Sequence, residues 1–312
     1  MQIPRFFAAL FGATLFLFSP LALSQSAKDQ AALATLAAVD LNHVPAKKLF
    51  GAAKLPLDLS ARAIGSYARG CLSGAKALPV DGPDWQVMRT SRNRNWGHPA
   101  LISLIERLAA DAKKYDNWNG LLVGDIAQPR GGPMLTGHAS HQIGLDADVW
   151  FTPMPDHVLT ASERENLVPI DMVKDRSTLN RDTWTESRAK LIKTAASYPE
   201  VARIFVHPPI KAELCKWATG DRSWLAKVRP YYNHTFHFHI RMKCPPGFAG
   251  CKNQTPAAPA DGTGCGAELA YWMGPIPWKP VLKDPNAKPV KPAPALTLAG
   301  LPAECRAVVT AP

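Results

Sequence analysis

The sequence predicts an α+β fold: an antiparallel sheet floor carrying a candidate metal site, flanked by helices and stapled by disulfides. Three observations carry that reading. Two histidine-rich segments alternate polar and apolar residues with the period of a strand, other segments repeat apolar residues with the period of a helix, and the chain holds six cysteines, an even number.

In chain order, residues 1–24 read as a signal peptide. Arg5 precedes an apolar run from Phe6 to Leu17, and Ala22-Leu23-Ser24 supplies small residues at the cleavage positions. That run is shorter than a membrane span requires and no later stretch qualifies, so the expectation is an exported chain without a stable membrane span, starting near Gln25. Residues 25–280 then form the working domain. Leu101, Leu104, Ile105 and Leu108 predict a helix over Pro99 to Lys114, and Leu121 to Val123 reads as a short buried strand.

The first histidine cluster, G-H-A-S-H-Q-I-G-L-D-A-D-V-W-F, begins at Gly137. Leu145, Ala147 and Val149 alternate with Asp146 and Asp148, which predicts a strand with one acidic face. His141 has the wrong parity to share that face along a straight strand. The chain must therefore turn between them, and Gly144 is the natural place because glycine tolerates positive φ. Asp146 shares the face of Asp148 and is read as structural.

Thr160 and Glu163 have the spacing of a capping box, and Trp184, Leu191, Ile192 and Ala195 suggest a further helix. Ile204 to Val206 reads as another buried strand. The second cluster, N-H-T-F-H-F-H-I-R, begins at Asn233. His237 and His239 lie two apart, so on a strand they share one face while Phe236, Phe238 and Ile240 take the other; a helix would splay them. Residues 281–312 continue a proline- and lysine-rich run as an extended, weakly packed tail, tied back if Cys305 pairs upstream.

His138, His141, Asp146, Asp148, His234, His237 and His239 thus offer the imidazole and carboxylate donors that a catalytic zinc prefers, usually three from the protein with a water in the fourth position. His43, His98, His157 and His207 stand alone and are read as structural. The cysteines make no C-x-x-C pair, so Cys71, Cys215, Cys244, Cys251, Cys265 and Cys305 read as three disulfides of an oxidising compartment; 15 pairings are formally open, and proximity favours Cys244 with Cys251. The formal charge of +11 is scattered without a polybasic block. For an exported protein it suits acidic cell-wall material rather than nucleic acid, unless it serves solubility alone.

At the two clusters the sequence resembles the penicillin-insensitive murein endopeptidases, a family of zinc peptidases related to lysostaphin-type enzymes and D-alanyl-D-alanine metallopeptidases. His141 and Asp148 match the H-x-x-x-x-x-x-D motif, and His237 and His239 match H-x-H. R-N-R-N-W-G-H-P from Arg92, L-L-V-G-D from Leu121 and the cysteine pattern agree as well, so the likeness runs from about Cys71 to Trp278. The resemblance implies one active-site zinc held by His141, Asp148 and His239, with His237 as the catalytic histidine. His138 and His234 match further site-lining histidines, His138 as an additional ligand and His234 as a group facing substrate. It implies the pairs Cys71–Cys305, Cys215–Cys265 and Cys244–Cys251, a periplasmic location, and peptidoglycan as substrate, cleaved at the D-alanyl to meso-diaminopimelyl cross-link. A homodimer with a second, interface zinc through Asp-x-x-His is also a family trait, but the matching stretch here runs from Asp175 to Thr178 and departs from it. Two rivals use the same residues: a zinc D,D- or L,D-carboxypeptidase on uncross-linked stems, and a non-enzymatic zinc-stabilised wall-binding domain.

Overall fold

The computed structural model describes residues 41–256, 258–279 and 294–312. The chain divides into two units, Met1–Leu41 and Asn42–Pro312, and every element below belongs to the second. The expected signal peptide lies outside the described residues, as does most of the proline-rich run.

Eleven strands occur among the described residues: β1 Arg62–Ser66, β2 Arg69–Ser73, β3 Lys76–Ala77, β4 Trp85–Val87, β5 Trp96–Gly97, β6 Leu121–Val123, β7 Asp146–Pro153, β8 Val201–Val206, β9 Val228–Pro230, β10 His237–Met242 and β11 Cys251–Lys252. Six of them form the main sheet in the order β4-β6-β7-β10-β8-β9. Its four central strands are antiparallel as expected, while the outer pairs β4/β6 and β8/β9 run parallel. The fold is therefore α+β with a mixed sheet whose antiparallel centre is the floor of the site.

Alternation decides which face is which. Ala147, Val149 and Phe151 of β7, Phe238 and Ile240 of β10, and Ile204 and Val206 of β8 enter one buried apolar core. The helix Pro99–Ala112 covers that core with Leu101, Leu104, Ile105 and Leu108, all at helical spacing. His98 caps it, its Nδ1 accepting the Ala100 N–H at 3.2 Å, and Pro99 occupies the first turn where no backbone donor is needed. Each of these buried leucines contributes roughly 1.5–3 kcal/mol by removal from water. The capping box at Thr160 forms as expected: the Thr160 N–H donates to Glu163 at 2.7 Å and the Glu163 N–H to the Thr160 hydroxyl at 3.2 Å, opening the helix Ala161–Asn166. The next helix, Glu186–Ser197, starts two residues after Trp184, whose ring instead packs edge-on to Phe151.

Three disulfides join Cys71 to Cys305, Cys215 to Cys265 and Cys244 to Cys251. The first ties the helix Glu304–Thr310 to β2, and Arg130 donates to the last carbonyls of that helix, including Val308 at 3.1 Å and Ala311 at 2.5 Å. Residues 294–312 are thus tied back through Cys305, the alternative the sequence left open, with Leu298, Leu301, Cys305 and Val308 buried, while the proline-rich stretch itself lies mostly outside the described residues. No helix among the described residues is long and apolar enough to cross a membrane.

Candidate metal centre

The polar face of the sheet centre carries the chemistry. The β7/β10 register sets His239 opposite Asp148 and Arg241 opposite Asp146, and β8 adds Phe205 beside His239. Because side chains alternate, this register delivers Asp146, Asp148, His237, His239 and Arg241 to one face while their neighbours fill the core.

His141 arrives by the expected turn. Gly144 has φ of 68°, and a Cβ there would lie 2.4 Å from Leu72 and 2.9 Å from the His98 nitrogen. His141 itself takes the left-handed region, at φ of 65°, where its backbone N–H donates to Asp146 Oδ2 at 2.9 Å. Its Nδ1 donates to the Ile126 carbonyl at 2.6 Å, which leaves the Nε2 lone pair free and aims it toward Asp148 Oδ1, 3.5 Å away.

Around that carboxylate oxygen stand His239 Nδ1 at 3.3 Å and His237 Nε2 at 3.6 Å. The other nitrogen of His239 lies 2.9 Å from Asp146 Oδ1. His138 places Nε2 3.5 Å from Asp148 Oδ2 and 2.9 Å from Asp125 Oδ2, and His138, His141 and Asp148 each offer a donor within 4.8 Å of the others. His234 sits at the rim, its Nδ1 2.6 Å from the Tyr232 carbonyl and its ring centroid 5.0 Å from that of His237. All the histidines of the two clusters thus converge, with His234 the outermost.

The electrostatics suit a cation. Burial alone would raise the Asp148 carboxyl, but the surrounding His237, His141 and His138 hold it well below the usual carboxylate range. Asp146 is held low against the same burial by Arg241 and His239. Burial pushes His237 and His234 down, whereas for His239 the Asp146 and Asp148 carboxylates together outweigh burial and raise it. His141 Nε2 and Asp148 Oδ1 are buried and make no hydrogen bond. Such orphaned groups cost roughly 1–3 kcal/mol each, and a bound cation would engage both. Ligand atoms around a tetrahedral ion with 2.0–2.1 Å bonds lie about 3.3–3.4 Å apart, close to the 3.3 and 3.5 Å separations here. The donor set fits the metal.

Two groups at the site lay outside the sequence reading. Asp125 follows β6, where the Gly124 N–H donates to the Asp148 carbonyl at 2.8 Å and the Asp148 N–H to the Asp125 carbonyl at 3.0 Å. This brings its side chain to His138 and to Arg94 at 2.8 Å, and these partners hold its carboxyl at about 2 despite burial. Arg241 is the buried counter-ion of Asp146, at 2.7 Å. Both stand in quoted strings, L-L-V-G-D and H-F-H-I-R, but a lone Asp or Arg carries no spacing that marks it. Elsewhere, His207 lies 2.7 Å from the Asn233 carbonyl and His157 faces Glu163 on the surface, each as a structural group. Asp175 is occupied locally, accepting from the Ser177 N–H at 2.8 Å.

Two cavities meet at the site. A larger one, about 540 Å³, runs past His234, His239, Tyr231 and Tyr232, and a smaller one, about 180 Å³, lies against Asp148; His138 and His237 line both.

A carboxylate and histidines gathered on an antiparallel floor beside two adjoining cavities could hold a metal, and that donor set is the one metal-dependent hydrolases use. Comparison makes that particular. The family described as penicillin-insensitive murein endopeptidase matches residues 63–310. A protein of that name from Haemophilus influenzae is 45% identical over 237 residues, covering 75% of this chain and 81% of its own. Namesakes from Klebsiella pneumoniae and Yersinia enterocolitica are each 41% identical over 255 residues, covering 81% of this chain and 88% and 87% of theirs. The chain belongs to the penicillin-insensitive murein endopeptidase family and is a peptidase.

Proposed function

We propose that this peptidase is a zinc-dependent endopeptidase of the periplasm that hydrolyses the D-alanyl to meso-diaminopimelyl amide cross-linking neighbouring peptidoglycan stems. The observation that carries the reading is the pair of orphaned donors, His141 Nε2 and Asp148 Oδ1, with His239 Nδ1 3.3 Å from the latter, in a chain of this family. The disulfides suit an oxidising compartment, and the basic charge suits an acidic polymer.

His141, Asp148 and His239 would hold the ion, with His138 as the further candidate. A bound zinc supplies an acidified water and a polarised carbonyl. His237, on the same face as His239, takes the proton from the attacking water at its Nε2 and returns it to the leaving amine. Asp146 orients His239 by accepting from its Nε2, whereas Asp125 engages the same His138 Nε2 that faces Asp148, so His138 would join the ion only by giving up that bond. His234 meets substrate at the mouth of the larger cavity. Hydrolysis assigned to histidine and a bound cation forms no acyl-serine, the species through which β-lactams inhibit, which suits the penicillin insensitivity in the family's name.

The test is digestion of purified sacculi with chelator, without it, and with zinc restored, followed by fragment mass. Loss of cross-linked dimers, abolished by chelation and recovered with zinc, is expected. Release of terminal D-alanine alone would replace the reading with a carboxypeptidase, and binding without cleavage would replace it with a wall-binding domain.

A further inference from the structure

The smaller cavity differs in character from the rest of the cleft. Its wall carries the Arg89 and Arg92 side chains alongside Asp148 and His237. Arg89 is committed elsewhere, donating to the Leu167 carbonyl at 3.1 Å with its guanidinium 5.6 Å from the centre of the Trp150 ring. Arg92 is not. Its side chain is 47% exposed, and among the described residues its only acceptor is Asp125 Oδ2 at 3.1 Å. Asp125 is already bonded to Arg94 and His138, so one carboxylate is shared between two guanidiniums and Arg92 keeps donors that Asp125 does not take.

The backbone holds Arg92 in place. It ends a tight turn, Thr90–Arg92, bracketed by Arg89 and Asn93, both in the left-handed region at φ of 56° and 53°. Glu165 accepts the Ser91 N–H at 2.9 Å, and Asn93 Oδ1 accepts from Trp96 Nε1 at 2.7 Å. A flexible cation is thereby anchored at its base, with donors left over, at a cavity bordering the proposed reacting groups.

The geometry points to Arg92 as the binding group for a substrate carboxylate next to the scissile amide. This rests on the proposed cross-link activity. In that amide the leaving nitrogen is attached to a carbon that also bears a free carboxylate, so an anion must lie two bonds from the bond being cut. A planar guanidinium with unused donors matches a carboxylate in a two-point contact, which an ammonium cannot reproduce. The larger cavity, on the other side of His138 and His237, is left for the acyl stem.

The test uses two purified cross-linked muropeptide dimers that differ only in that carboxylate, free in one and amidated in the other. Wild-type kcat/KM should fall about 10- to 100-fold on the amidated dimer, the range of one charge-assisted hydrogen bond. Arg92→Gln should fall by a similar factor on the free dimer and discriminate little between the two, with metal content unchanged. Arg92→Lys should recover only part of the loss. A purely structural Arg92 would instead lower both dimers together and keep the discrimination, which would overturn the inference. Equal wild-type cleavage of both dimers would also overturn it while leaving the endopeptidase reading intact; cleavage of neither would remove that reading and this inference together.

Discussion

Asp146→Asn tests how the site is held, because the substitution keeps shape while removing charge. Asp146 is fully buried; its Oδ1 accepts from His239 Nε2 at 2.9 Å and Arg241 Nε at 2.7 Å, and its Oδ2 from the His141 N–H at 2.9 Å. Asparagine keeps one of those oxygens and turns the other into a donor facing a donor. Arg241, only 7% exposed, would lose its counter-ion. Removing one partner of a buried pair costs about 3–5 kcal/mol. At about 2–4 °C per kcal/mol for domains of this general size, the metal-free protein should melt on the order of 10 °C lower. His239 would also lose the acceptor that fixes its ring, which typically lowers metal affinity about 10- to 100-fold. Thermal melting of the metal-free protein reads the first effect, and zinc titration against a chromophoric chelator reads the second. An unchanged melting temperature together with unchanged affinity would refute the role assigned to Asp146.

His237→Ala should retain zinc yet lose about 10²- to 10⁴-fold in kcat; a variant with wild-type turnover would remove His237 from the chemistry. Lys211 is buried, with Nζ 2.7 Å from the Leu225 and Thr263 carbonyls, and burial lowers its pKa from 10.5 to about 7. Between about pH 7 and 10.5 the unfolded chain then binds the extra proton, so this residue makes stability rise with pH across that window, by about 5 kcal/mol in all; denaturant titrations should show the slope reduced in Lys211→Met, and parallel curves would count against it. Breaking the Cys71–Cys305 bridge, which spans 234 residues, with paired serine substitutions should cost roughly 5 kcal/mol by loop entropy and release the C-terminal helix. Hydrogen exchange checks this, since wild-type protection of residues 304–310 would show that Arg130 and the apolar contacts suffice.

Much of the floor was legible because strand alternation is a local property. His237 and His239 could share a face only on a strand, and the parity of His141 required a turn, which Gly144 makes at φ of 68°. The helix over Pro99 and the capping box at Thr160 were legible for the same reason: period and cap act within a few residues. The packing of the C-terminal segment was legible only in the tie that Cys305 offered, because proline and lysine content describes a chain's own preferences and says nothing of the Arg130 side chain that donates to its carbonyls.

The sequence by itself determined the donor types, their parity on each strand and, through resemblance, the family. Only the tertiary structure decided which donors meet. Asp148 and His239 become neighbours through the β7/β10 register, and Asp125 reaches His138 because a backbone pairing at Gly124 extends β6 alongside β7. The physical reason is one of range: alternation and capping are set by bonds a few residues apart, whereas a register joins segments ninety residues apart and is set by the burial of the opposite face.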